Sequence, residues 1–340
     1  MRLILIILIG VGICFRFVNL DHQVYWYDEA ITSLRSAGYT EAEVVQQFPE
    51  SALVSGADLL RYQQPAPDRG VESTLQSLIA EDPHHPPLYY VLSHFWMRWI
   101  GSSVAAMRAL SVSLSLLALP AMYWLCWELF VATGVFRLRQ EIGVSKQQEQ
   151  LVTIGATGTA SNWQERELAI VPIDIHLVTE HVSPSRPFAG RLADGFRAQP
   201  SLVCWIAVAL LAISPFQILY AQESRQYGLW AATILLATAS LLRAIRLKTV
   251  KAWAMYALTL ALSFYTFLFS GLMAIAHAAY LVLLFRFRLN RTLIAYLLAT
   301  GAGILLFLPW AFVVAENLNQ AEMATDWTGV KRQWVELAIR

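Results

Sequence analysis

Asp28 and Glu29 are adjacent carboxylates, preceded directly by Tyr25, Trp26 and Tyr27. Partial desolvation beside those rings would raise a carboxylate pKa toward the range of a general base. An ordinary solvated loop pair is the competing reading. Three later stretches carry groups that could work with such a base. His84-His85-Pro86-Pro87 sets two imidazoles ahead of a stiff backbone, able to ligate a metal or hold a phosphate. Arg108 stands four residues inside an apolar run, where a guanidinium is costly and calls for a partner, a ligand or a snorkelling route to the interface. Ser214-Pro215 interrupts another apolar run shortly before Gln222-Glu223-Ser224-Arg225-Gln226-Tyr227. There Glu223 is a second candidate base and Arg225 a candidate anion ligand, unless the two form a simple salt bridge.

The elements that must position these groups are apolar. The chain has 340 residues, 57% of them hydrophobic and only 14% charged, with a mean hydropathy of +0.48, which excludes an ordinary soluble domain. Its net charge of +1 hides a segregation along the sequence. Residues 21–103 hold 11 Asp and Glu against four Lys and Arg, whereas Arg243, Arg246, Lys248 and Lys251 form one basic cluster and Arg286, Arg288 and Arg291 another. No acidic or basic tail points to nucleic acid. Cys14, Cys126 and Cys204 all lie in apolar runs, as small core residues outside any disulfide framework or zinc motif.

The first apolar run, Leu3 to Leu20, reads as an uncleaved span with Arg16 snorkelling to the interface. Pro65 to Asp82 reads as a loop and a short amphipathic helix. Leu88 to Ile100 has only 13 residues, against roughly 20 for a helical crossing, and carries Trp96 and Trp99, so it is expected to lie along an interface. Val104 to Phe130, Leu202 to Tyr220, Tyr227 to Leu242 and Leu293 to Val314 read as spans. Keeping both basic clusters on the cytoplasmic side requires Trp253 to Phe285 to cross twice, turning near Ser270-Gly271. Seven spans result. The acidic 21–103 loop, the 214–226 turn and the tail from residue 315 then face outside, and the insert 131–200 faces the cytoplasm. In that insert Gly155-Ala156-Thr157-Gly158 reads as a turn and Ile170 to Val178 as a strand.

The order of these motifs resembles the multispan glycosyltransferases of the GT-C fold. The acidic pair follows the first span, and His-Pro-Pro-Leu-Tyr-Tyr (residues 85–90) ends a long outer loop. Arg-Ala-Leu-Ser (108–111) opens the second span, and Ser-Pro-Phe (214–216) precedes Gln-Glu-Ser-Arg-Gln-Tyr (222–227). More narrowly, the pattern is similar to the bacterial branch related to protein O-mannosyltransferases and aminoarabinose transferases, over residues 1–130 and 201–315. The resemblance implies an all-α polytopic protein of about seven spans, with a long outer loop carrying interfacial helices. Its parts would be a first span with the catalytic loop and second span (1–130), a cytoplasmic insert (131–200), a five-span bundle (201–315) and an outer tail (316–340).

The activity implied is transfer of a sugar from a polyprenyl-phosphate donor to a lipid, glycan or protein acceptor, by inverting displacement on the periplasmic or extracellular side of the inner membrane. Asp28, with Glu29 beside it and Glu223 in competition, would activate the acceptor. Arg108, Arg225, His85 and Tyr227 would hold the donor phosphate. No residue set is assigned to a metal, and a divalent ion stays open as a cofactor. The 70-residue insert and the end after seven spans depart from that family, so the chain is expected to be a fragment or an incomplete enzyme. A transporter or lipid flippase, and a catalytically inactive membrane scaffold, are the alternatives from other classes.

Overall fold

In the computed structural model, which describes residues 1–48, 55–132 and 200–317, the apolar runs become helices and the described residues contain no strand. The helices are α1 (Arg2–Phe17), α2 (Tyr27–Ala37), α3 (Glu41–Gln47), α4 (Gly56–Leu60), α5 (Val71–Glu81), α6 (Leu88–Trp99), α7 (Val104–Ser115) and α8 (Ala118–Cys126). After the insert come α9 (Pro200–Ile213), α10 (Pro215–Ala221), α11 (Tyr227–Leu247), α12 (Val250–Thr266), α13 (Ser270–Leu284) and α14 (Arg291–Glu316). The chain divides into two compact units, Met1–Cys126 with Cys204–Arg340, and Trp127–Val203. Of the second unit only the π-helical turn Trp127–Ala132 and the first residues of α9 are described. The turn expected at residues 155–158 and the strand at 170–178 lie outside the described residues, as does most of the tail.

Among the described residues, three helices are long and apolar enough to cross a membrane: Val104–Phe130, Tyr227–Leu247 and Arg291–Glu316. A fourth crossing arises if α9 and α10, bent by 57° at Ser214, count as one broken span. The count of seven is therefore not reproduced by helix length. α1, α12 and α13 have 16, 17 and 15 residues, about 24, 26 and 23 Å of helix, short of a hydrocarbon core of about 30 Å. The turn near Ser270 does separate α12 from α13, and α6 is a short helix with Trp99 and Ile100 exposed.

Arg16 does not snorkel. It is buried, and its guanidinium donates to the carbonyls of Gly12, Leu211 and Ala212. Pro215 explains why. It has no N–H to give the carbonyl four residues back, so the break at Ser214 frees acceptors at the end of α9, and Arg16 fills them. Gly12 makes that approach close enough, because a Cβ there would collide with the Ala212 carbonyl. Apolar packing then assembles the rest. Leu241, Tyr256, Leu260, Leu281 and Tyr296 form a core shared by α11 to α14. Leu78 and Tyr90 pack with Phe307 and Trp310, which docks α5 and α6 onto α14.

Candidate functional site

The acidic pair opens α2 rather than lying in a loop. Trp26 is extended, the helix begins at Tyr27, and Asp28 and Glu29 fall in its first turn, where carboxylates offset the exposed N–H groups. Successive helical residues point about 100° apart, so the two acids have different surroundings. Glu29 is fully buried. Its Oε1 accepts from Arg108 Nε at 2.9 Å and from the Ser224 N–H at 2.7 Å. Its Oε2 accepts from Arg108 Nη2 at 2.7 Å and from the Trp26 N–H at 3.4 Å.

Arg108 is saturated by the same arrangement. Besides the fork on Glu29, Nη1 donates to the carbonyls of Leu20 and Gln23, and Nη2 to that of Val24. All five of its N–H groups are used, so none is left for a ligand phosphate. The pair fastens the start of α2, the 20–24 turn, α7 and the 222–226 turn together. Gly228 helps from α11, since a Cβ there would meet Ser115 Cβ at 2.8 Å.

Asp28 differs. Its side chain is 36% exposed, and its nearest cation is Arg225, with Nη2 at 3.8 Å from Oδ2. Arg225 is buried, and Nη1 donates to Thr32 Oγ1 at 3.0 Å. Its Nε makes no hydrogen bond, and neither end of the neighbouring Gln226 amide makes one. Such buried groups ordinarily find partners, so these three mark a place where polar atoms of another molecule would be welcome. Tyr227 follows directly, its ring centroid 5.9 Å from the Arg225 guanidinium carbon. The same tyrosine lines an apolar groove of 580 Å³ with Leu211, Tyr220, Trp230, Ile234 and Leu235.

His84 and His85 lie on the turn between α5 and α6, their ring centroids 4.2 Å apart. Burial lowers both imidazole pKa values, that of His85 well below the usual range, and the nearby Arg225 charge lowers both further. The Nδ1 of each is buried without a partner. Asp82 stands beside them, and a ligand atom from each of the three falls within 4.8 Å of the others. Arg35 holds Asp82 through Nε to Oδ2 at 2.6 Å, and also pairs with Glu81 and Glu41. Glu223 sits in the 222–226 turn, its carboxyl pushed up by burial and by the Glu29 charge.

Asp28, Tyr227 and the two histidines thus gather around Arg225, while Glu29 and Arg108 are consumed by each other. The sequence reading missed Asp82, Arg35, Thr32 and Gln226. For Asp82 there was a signal, an acid two residues before a His pair; for Thr32 there was only its position one helical turn after Asp28. No family model, curated protein or solved structure matches the chain.

Proposed function

We propose that the chain is an integral membrane glycosyltransferase of GT-C type, using a polyprenyl-phosphate sugar on the outer face of the membrane. The observation that carries the reading is Arg225: a buried guanidinium with a free Nε, between a half-exposed carboxylate and an apolar groove. Those three features correspond to the three parts of such a donor. The groove takes the start of the prenyl chain, Arg225 and Gln226 take the phosphate, and the sugar projects toward Asp28. A guanidinium suits phosphate because its planar fork meets two oxygens at once.

In the reaction Asp28 removes the acceptor proton as the acceptor heteroatom attacks the anomeric carbon. The bond from that carbon to the phosphate oxygen breaks, and the polyprenyl phosphate leaves with the electron pair, its charge neutralised by Arg225. Glu29 and Arg108 become positioning residues, which revises the direct roles first assigned to them. On this reading α1, α12 and α13 complete a set of seven spans by tilting little and thinning the bilayer around them. A transporter would need charges lining a path, whereas Arg16 and Arg108 are both held by the chain's own carbonyls and carboxylate.

The direct test is binding of undecaprenyl phosphate to the full chain in nanodiscs. Arg225→Lys is expected to weaken binding about 10–100-fold, the equivalent of one charged hydrogen bond at about 1.5–3 kcal/mol. Unchanged affinity in that variant, with the protein still folded, would remove the donor site.

A further inference from the structure

We infer that Asp82, His84 and His85 form a binding site for a divalent first-row transition-metal ion, of the zinc, manganese or cobalt type. Two imidazoles and one carboxylate are the donor set of such ions, and three protein ligands leave coordination positions open for another molecule. The three ligand atoms already lie within 4.8 Å of one another, so modest side-chain rotations bring them to the roughly 2.0–2.2 Å that zinc requires of nitrogen and oxygen ligands.

Three further observations point to a cation here. The Nδ1 atoms of both histidines are buried and make no hydrogen bond, and lone pairs in that state gain most from an ion. Asp82 is oriented from behind, since its Oδ2 accepts from Arg35 Nε at 2.6 Å, the kind of outer bond that fixes a ligating carboxylate. The backbone is also stiff on both sides. The His85 N–H bonds the Asp82 carbonyl at 3.0 Å, and Pro86-Pro87 leads straight into α6.

The guanidinium of Arg225 is an electrostatic neighbour of both histidines. A metal ion beside it would be repelled unless an anion sat between the two. This extension rests on the donor-site reading above: the shared anion would be the lipid phosphate, gripped by the ion on one side and by Arg225 on the other.

The test uses the full chain in detergent micelles, stripped with chelator and then titrated with cobalt(II) and with zinc. The expected result is about one bound equivalent, with the visible absorption of four- or five-coordinate cobalt, abolished in His84→Gln/His85→Gln and displaced by zinc. Glutamine retains polar atoms at both positions, and retention of a single gel-filtration peak shows that the variant is folded. Wild type without the absorption, or a double variant that retains it, overturns the inference. Undecaprenyl phosphate binding measured in parallel separates the two ideas. Cobalt binding with no lipid binding sinks the donor site and leaves the metal site standing, while lipid binding that is strong in chelator, with no cobalt absorption, does the reverse.

Discussion

Two arginine–carboxylate pairs lie within one turn of α2, and they are opposites. Glu29 and Arg108 form a closed fork, buried, with every guanidinium N–H used and the carboxylate further tied by two backbone amides. Asp28 and Arg225 form an open pair at 3.8 Å, the acid half in solvent and the base with an idle Nε. Both join a carboxylate to a guanidinium. The difference is saturation, and it separates a joint that holds the fold from a site with capacity left for a ligand. A buried charge with all its bonds made cannot bind anything without first breaking something.

The sharpest way to break this contrast is to change the two acids in the same way. Glu29→Gln leaves Arg108 as a buried charge with half its fork unanswered, which typically costs about 3–5 kcal/mol. The expected outcome is a large loss of thermal stability or no folded protein in detergent, and a variant as stable as wild type would show that the joint carries little. Asp28→Asn is expected to change stability by no more than about 0.5 kcal/mol, as exposed positions usually do. It should slow sugar transfer by about 10²–10⁴-fold, the usual worth of a general base, with undecaprenyl phosphate binding preserved. Transfer near the wild-type rate would remove Asp28 as the base, and an equal loss of binding would move it to a structural role.

A smaller effect sharpens the comparison through pH. Glu223 has its carboxyl raised by burial and by the Glu29 charge, so folding opposes its ionisation. Its favourable contribution is full below the unfolded value of 4.5 and is lost as pH rises through the higher folded value. Glu223→Gln should therefore be more stable than wild type at pH 7, with the two melting curves converging below about pH 4. Equal stability across that range would mean that Glu223 is solvated and no part of the cluster.

The sequence made the gathering of these groups legible because each stood at the end of an apolar run, and such ends share one side of a bundle. It did not reveal which of two adjacent acids would turn inward. That choice follows from a rotation of about 100° per residue, fixed by where Arg108 and the Ser224 amide come to rest. Nor could it show that Arg108 would be satisfied by the carbonyls of Leu20, Gln23 and Val24, since a backbone acceptor leaves no mark in residue type. The seven expected crossings came from counting apolar runs and charge parity. Among the described residues helix length reduces them to three or four, because α1, α12 and α13 fall short of a full crossing and the run through Ser214 is bent in two. Arg16 was misread because two of its three carbonyl partners are 195 and 196 residues away.

That last separation has a consequence for how the protein is made. A ribosome adds about 5–20 residues per second, so α1 emerges about 10–40 seconds before the carbonyls that Arg16 will cap. Throughout that interval the guanidinium has only the Gly12 carbonyl of its own helix, and the Ala212 backbone that packs on Gly12 is not yet made. Biogenesis thus contains a waiting period in which something else must shield the first helix, either the insertion machinery or lipid phosphate. Nascent chains arrested before Leu211 should cross-link through a probe at Phe15 to those surroundings, and chains extended past Tyr220 should lose that cross-link as α9 and α10 arrive.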